Sequence, residues 1–433
     1  MTTPLQRLMS ISKFVRKFRT LWEMPMPHGL FSLSLYVRFN DQYSKFHREI
    51  SLSQRGKIPA ALWFLVEFFL AISWRWRFAA IETNKAVNRF AATVEAKEGV
   101  PVFQQHRIVL DLSKRFCIHP LSIYRYRLYR DPQNALKFIF PREVKPLHRL
   151  RNGDAKRPDR LAIQDKLEFA LRSEEARLPV VKVVQHLTRN ESVRCDDIHF
   201  GGLDGVFIKS RSGFRGIGAF SVRKDGDRRL GYMLGDGRML SCDSEIDAAI
   251  SKILLSDDAI VQPLLANHGL FAKVTPPNQS TILRVVTVYN EARPFVYSAY
   301  LRIPIKPASG VQGDAVGNSI EVLAGVELQS GCITRNVDSS ISLNPELARI
   351  EEGVIAGLGE SPTIPFWNEI VKNSLAAQHE YSGLWAIGWD WFITDERAYL
   401  LEGNVHWGTN KPQEISGGLF EKLSNFSNPR HAD

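Results

Sequence analysis

Three oxygen-bearing side chains near the end of this chain can converge on one point. Ala386-Ile387-Gly388-Trp389-Asp390-Trp391-Phe392-Ile393 reads as an apolar strand. Ala398-Tyr399-Leu400-Leu401-Glu402-Gly403-Asn404 reads as a second, with the charged turn Asp395-Glu396-Arg397 between them. Glu402 and Asn404 are two apart and so share a face of their strand. If the hairpin closes on that turn, Asp390 comes level with the pair. Hard oxygen donors in this number suit Mg²⁺ held between protein carboxylates and nucleotide phosphates. The plain alternative is a surface hairpin with polar ends, but an Asp between Trp389 and Trp391 is costly to bury unpaired.

A second element supplies positive charge and an anion cradle. Val206-Phe207-Ile208-Lys209 is a short apolar run ending in lysine, followed at once by Ser210-Arg211-Ser212-Gly213-Phe214-Arg215-Gly216-Ile217-Gly218. A strand that delivers lysine to such a loop suits phosphate, because Ser212, Gly213, Gly216 and Gly218 bring N–H groups that can wrap an anion. The order differs from a P-loop, in which the lysine follows the glycines. Arg284 and Arg302 each fall in an apolar strand, where a guanidinium needs an anion. That anion could be a γ-phosphate, a substrate carboxylate, the acyl-phosphate formed from them, or a structural acid.

Taken in order, these segments resemble the ATP-grasp superfamily over residues 160–415. The resemblance rests on Phe207-Ile208-Lys209 with its loop, Ala259-Ile260-Val261-Gln262-Pro263-Leu264-Leu265, Leu283-Arg284-Val285-Val286-Thr287, and the Asp390/Glu402/Asn404 hairpin. Ser122-Ile123-Tyr124-Arg125-Tyr126-Arg127-Leu128-Tyr129, Asp165-Lys166, Ser280-Thr281-Ile282-Leu283-Arg284, Ile364-Pro365-Phe366-Trp367 and Ile387-Gly388-Trp389-Asp390 are similar to the sugar-transfer-associated ATP-grasp proteins, related to α-L-glutamate ligases. The resemblance implies an α+β ATP-grasp fold: two α+β lobes clamping ATP, a small preceding domain and a helical basic N-terminal region. It implies ATP and Mg²⁺ as cofactors. It makes Lys166 the second nucleotide lysine, from the preceding lobe. Gln262 and Leu264 fall at the hinge where backbone groups read the adenine edge, with Gln where many members carry Glu. Asn318 matches the loop Asn of glutamate-ligase-like members.

The implied chemistry is carboxylate activation by ATP, giving an acyl-phosphate that an amine converts to an amide. An amino acid and an amino sugar or cell-surface glycan precursor are the substrates expected from the family likeness. D-Ala–D-Ala-ligase-like members carry an Arg two residues before the first metal Asp. Gly388 stands there in this chain, which leaves the anion clamp to Arg284 or Arg302. The alternatives are an ATP-grasp kinase acting on a hydroxyl and a non-catalytic glycan-assembly interaction protein.

The rest of the 433 residues must position these groups, and the chain is long enough for two or three domains. A net charge of +10 suits anionic partners such as ATP, an acidic glycan or an anionic membrane. The dispersed basic residues show no nucleic-acid recognition motif. Cys117, Cys195, Cys242 and Cys332 have no metal-ligand spacing, which favours a reducing cytoplasm. No cleavable leader is expected, since Arg7, Lys13, Arg16, Lys17 and Arg19 interrupt Leu5 to Trp22. Composition sets off a helical basic region (1–100), and the resemblance implies a small mixed ATP-grasp-associated domain (101–190), a nucleotide-binding lobe (191–270) and a catalytic metal-binding lobe (271–433). The run Ala60 to Ile72, followed by Trp74-Arg75-Trp76-Arg77, is too short for a span. It reads either as a core helix or as a peripheral contact with the inner face of a membrane through residues 60–77.

Overall fold

The structure, a computed structural model, describes residues 42–54, 58–152, 158–213, 218–226, 228–234, 237–290, 293–305, 320–334 and 352–423. Asn318, Gly216 and the basic cluster Lys13, Arg16, Lys17 and Arg19 lie outside these residues, as does most of the expected helix 343–358; its end, 352–357, is helical. Two compact units divide the chain at 153/154. Of the later described residues, 408–423 join the first unit and 352–407 the second.

The first unit is helical where described. Ala60–Ser73, a π turn at Trp74–Phe78 and Ala79–Glu98 follow without a break. Gly99, at φ 69°, ends the run in the left-handed conformation that a helix C-terminus favours and glycine adopts freely. Val102–Phe116 then packs back on it around Phe90, Val94, Val109, Leu112, Phe116, Ile123 and Tyr124. This shared core crosses the compositional boundary expected at residue 100, because hydrophobic burial, not local charge, sets where the unit ends. The Gln413 side chain accepts from Ile139 N at 2.7 Å and donates to Ile139 O at 2.8 Å. That exchange ties the late segment into the unit. Trp63 and Trp74 are buried (8% and 2% exposed), whereas Trp76 is 86% exposed. Among the described residues, no helix is long and apolar enough to cross a membrane.

The second unit holds, among its described residues, two six-stranded sheets with antiparallel pairing between neighbours. The first runs in the order β1-β6-β2-β3-β4-β5, from Gln185–Leu187, Ala259–Pro263, Gly205–Ser210, Phe220–Asp225, Arg228–Met233 and Met239–Leu240. Its core is Val206, Ile208, Phe220, Val222, Ile250 and Val261, with the helix Asp243–Leu254 packed against it. The second runs β10-β9-β8-β7-β11-β12, from Ile333–Thr334, Ile320–Val326, Arg293–Ile305, Ile282–Asn290, Ala386–Ile393 and Ala398–Asn404. Within residues 101–190 the stretch 158–175 forms two helices, Pro158–Gln164 and Lys166–Glu175, ahead of the strand Gln185–Leu187.

Strand β11 is buried along its whole length. On one face Trp391 Nε1 donates to Ser374 Oγ (3.0 Å) in the helix Trp367–Glu380, and Trp389 Nε1 donates to Thr287 Oγ1 (2.7 Å). The opposite face therefore carries Gly388 and Asp390. Gly403, between Glu402 and Asn404, lets β12 lie against the helix Pro158–Gln164. A Cβ there would collide with Ile163 Cδ1 and come 2.8 Å from Trp389 Cζ3. Gly403→Ala should therefore cost roughly 1–3 kcal/mol, as overpacking does. Ile163→Val, which removes the colliding methyl, should restore part of that loss in denaturant melts. Additive losses in the double variant would show that the contact does not limit the packing.

Candidate active site

The second sheet builds its charged face by register. Glu402 pairs with Asp390, Asp390 with Arg284, and Arg284 with Tyr300, so one cross-strand row runs through β12, β11, β7 and β8. Directly opposed residues point to the same face. A one-residue bulge makes this possible. From Ile393/Ala398 to Trp391/Leu400 the pairing is regular, and then Asp390 meets Glu402, leaving Leu401 unpaired. Without that bulge Asp390 would face Leu401, and Glu402 would lie on the Trp389 side.

The two carboxylates are closely held. Asp390 is 5% exposed. Arg284 Nε donates to its Oδ1 at 2.5 Å, and Nη2 closes a bidentate pair on Oδ2. Asn404 Nδ2 reaches Asp390 Oδ2 at 3.2 Å and Glu402 Oε1 at 3.3 Å. Arg302 forms a second bidentate pair with Glu321, at 3.1 and 2.5 Å, and its Nη1 lies 4.0 Å from Asp390 Oδ2. Burial works against the charge on both arginines. Burial is the largest single influence on each, but for Arg284 the charges of Asp390, Tyr300 and Glu402 with the Asp390 hydrogen bonds together outweigh it, and for Arg302 the charges of Glu321 and Asp390 with the Glu321 hydrogen bonds do. Asp390, Glu402 and Asn404 thus present a donor set that fits a hard divalent cation, with the Asn404 amide turned to offer its oxygen.

Strand β2 brings Lys209, and the helix Lys166–Glu175 brings Lys166. Asp165 caps the helix Lys166–Glu175 by accepting from Leu167 N and Glu168 N. Its carboxylate also takes Arg211 Nε at 2.9 Å and Nη2 at 2.7 Å, while Arg211 Nη1 reaches Asp258 at 3.1 Å. This bridge sets Lys166 against the loop after β2, where its Nζ donates to Gly213 O and its backbone N to Arg211 O (3.1 Å). Burial lowers the pKa of Lys166, against the opposing pull of Glu402, Asp257 and Asp165. Burial pushes Lys209 down to about 8; Glu402 opposes the shift and Lys166 adds to it. Both lysines therefore feel the carboxylate at the end of the other sheet.

Residues 149–428 match the family described as sugar-transfer associated ATP-grasp. The chain belongs to this family. The stretch Ser122 to Tyr129 precedes the matched residues of this ATP-grasp protein. Solved structures similar to it include the D-alanine–D-alanine ligase from Coxiella burnetii, 11% identical with a TM-score of 0.37, covering 63% of this chain and 59% of that one. They also include the D-alanine–D-alanine ligase from Bacillus anthracis complexed with ATP (10%, TM-score 0.34, 61% and 65%). Biotin carboxylase from Campylobacter jejuni is a third (9%, TM-score 0.38, 63% and 47%). The chain thus spans about three-fifths of the length of the Coxiella enzyme. A search of curated proteins gave no significant match.

Several expected residues already have partners within the ATP-grasp unit. Ser212 donates to Asp257 through N (2.8 Å) and Oγ (2.7 Å), and Gly213 N donates to Ser210 Oγ (2.9 Å). These two N–H groups are thus engaged by side chains, whereas the sequence suggested donors open to an anion. Gly218 follows at φ 77°. Gln262 is buried and donates to Val181 O at 2.8 Å. Leu264 N is used by Gly205 O (3.0 Å), so that amide is a sheet donor and not one for a base. At Gly388 a Cβ would lie 2.9 Å from Trp407 Cβ and 3.5 Å from Arg284 Cδ. No longer side chain fits there, and the guanidinium comes from the neighbouring strand. Sequence reasoning passed over Arg211, Asp257, Tyr300 and Glu321. The alternation Tyr300/Arg302 on β8 was the available signal for Tyr300; nothing local marked Asp257. Cys195, Asp196 and Asp243 also come together, but Arg229 bonds all three, at 3.1, 2.6 and 3.0 Å.

The Arg284–Asp390 pair yields a stability cycle. Arg284→Leu should cost about 3–5 kcal/mol by leaving a buried charge uncompensated. Adding Asp390→Leu should recover most of that loss, because a buried pair and a packed apolar pair differ little. Additive losses in chemical denaturation would refute the coupling.

Proposed function

We propose that this ATP-grasp protein is an ATP-dependent carboxylate–amine ligase, with Mg²⁺ held by Asp390, Glu402 and Asn404. The observation that supports this reading best is the register row Glu402–Asp390–Arg284, with Asn404 hydrogen-bonded to both acids and two lysines electrostatically coupled to Glu402. Bound there, Mg²⁺ would offset charge on the transferring phosphoryl group. Lys209 and Lys166 would meet the phosphates beside the loop that follows β2, whose Ser212 and Gly213 N–H groups would leave Asp257 and Ser210 to join them. Gln262 and Leu264 would flank the base. Arg302, half-exposed beside Glu321, would orient the substrate carboxylate against the γ-phosphate, with Arg284 as its neighbour and Asn318 as a further substrate contact.

A carboxylate oxygen bonds to the γ-phosphorus as the bridging P–O bond breaks and ADP leaves. The amine nitrogen then adds to the acyl carbon, loses a proton and expels phosphate. An amino acid and an amino sugar or glycan precursor are the substrates in keeping with the family's description. The proposed setting is the cytoplasm, where ATP is available and the four cysteines stay free, with residues 60–77 holding the enzyme peripherally at the inner face of the membrane.

Two measurements test this reading. Hydroxylamine with ATP, Mg²⁺ and a pool of amino acids should give a hydroxamate, because only an acyl-phosphate yields one; Glu402→Gln should abolish it while leaving the melting curve intact. ATP turnover with phosphoryl transfer to a hydroxyl and no hydroxamate would sink the ligase assignment. The second measurement concerns Lys209, whose ammonium is lost near pH 8 in the free protein against an ordinary value of 10.5. Between those values the unfolded chain binds more protons, so this group's cost to stability is full below pH 8 and fades as pH rises. Bound phosphate favours the ammonium, so binding above pH 8 takes up a proton. ATP affinity should then fall by up to about tenfold per pH unit above 8. Lys209→Met should bind more weakly, with no such slope. An unchanged slope in Lys209→Met would remove the lysine from the phosphates.

A further inference from the structure

We propose that the exposed face of the helix from Ala60 through the π turn is a docking surface for an anionic phospholipid bilayer, with Leu62, Leu65, Phe69 and Trp76 entering the interface and Arg77 meeting the headgroups. The inference rests on the peripheral setting proposed above and names its residues and its lipid chemistry.

The helix Ala60–Ser73 has two apolar faces. Trp63, Val66 and Leu70 form one, packed with Ile58. Leu62, Leu65 and Phe69 form the other, at three- and four-residue spacing, and are 47%, 49% and 47% exposed. The π turn Trp74–Phe78 then decides which way each residue of Trp74-Arg75-Trp76-Arg77 projects. Trp74 goes inward, with Nε1 on Ser113 O at 2.9 Å, and Arg75 Nε is held by Lys114 O at 2.6 Å. Trp76 and Arg77 go outward, both exposed. Trp76 is 86% exposed on the same helical run as Leu62, Leu65 and Phe69, so its indole is largely in water. An indole next to a guanidinium at the edge of an apolar face is suited to the boundary between headgroup and acyl chain.

Charge selects the occupant. Residues 1–152 carry 26 Lys and Arg against 10 Asp and Glu, a formal +16. Residues 153–433 carry 30 against 36, a formal −6. The whole positive excess thus lies in the part of the chain that presents the apolar stripe. A second copy would set +16 against +16, so self-association on this face is opposed, while an anionic surface is drawn to it. Nucleic acid would satisfy the charge but leave the aliphatic stripe in water.

The test is co-sedimentation of the full chain with vesicles of phosphatidylcholine alone or with phosphatidylserine added, at low and high salt. Wild type should bind the phosphatidylserine vesicles only, and high salt should release part of it. Phe69→Ser/Trp76→Ala and, separately, Arg77→Glu should each weaken partitioning roughly tenfold or more while leaving ATP turnover in solution unchanged. Failure of the wild type to bind would overturn the peripheral setting itself. Wild-type binding that the variants retain would keep the setting and overturn this surface. Dissociation of a wild-type dimer by Phe69→Ser/Trp76→Ala, read by light scattering, would reassign the stripe to self-association.

Discussion

A carboxylate buried in the middle of an apolar strand is the constraint from which the rest of the site follows. Asp390 lies in a strand whose every residue is buried, flanked by two indoles that face the other way. Its charge cannot be left uncompensated. Compensation comes from the adjacent strand, where Arg284 is directly opposite and bidentate. Arg284 is in turn opposite Tyr300, which is buried, and Arg302 stands two residues further along the same face. Arg302 carries its own acid, Glu321, from β9. The sheet face thus carries acids on β12 and β11, arginines on β7 and β8 and a further acid on β9, in an order fixed by backbone pairing. Side-chain choice within each strand is subordinate to that order.

Much of this was legible in the sequence, and the reason is periodicity. Polar residues interrupting apolar strands at Asp390, Arg284 and Arg302 are visible as exceptions, and exceptions inside strands demand partners. The hairpin 386–404 was equally legible from its two apolar runs and charged turn. The bulge at Leu401 was not. A strict closure on that turn sends Glu402 to the wrong face, and only the unpaired residue corrects it. The expectation that Asp390 and Glu402 meet was therefore right in outcome, and the structure supplies the cause. Bulges depend on what both flanking strands pack against, here the helix at Ile163 as well as β11, and no local run of residues announces that.

The polar ties of the first sheet were less legible for a related reason. Arg211 joins Asp165 and Asp258 across 46 and 47 positions of sequence, and Asp257 holds Ser212 across 45. Each of these residues reads as an ordinary loop or cap group by itself. Their role emerges only when the strand β2 ends beside the helix Lys166–Glu175 and beside the start of β6. The same applies to the N-terminal unit, where composition suggested a break near residue 100 and a common core runs through it. Composition records what a segment would prefer to touch; the fold records which of those preferences can be met together.

The line of charges also bears on how the site can respond to a ligand. Arg284 is shared between Asp390 and any anion that approaches the same face, because its guanidinium has a fixed number of donors and two are already on Asp390. Positive charge brought to Asp390 from any other source weakens that claim and leaves the guanidinium more available to an incoming anion. The converse holds with the same magnitude, since coupling between two binding events is reciprocal. Arg302, 4.0 Å from the same carboxylate oxygen and tied to Glu321, extends the coupling one strand further. The Glu402–Asp390–Arg284 row, with Arg302 and Glu321 next to it, would therefore make cation and anion binding at this face mutually reinforcing. The rigidity of the sheet preserves that property, because separations fixed by a hydrogen-bonded ladder cannot relax when one partner changes hands.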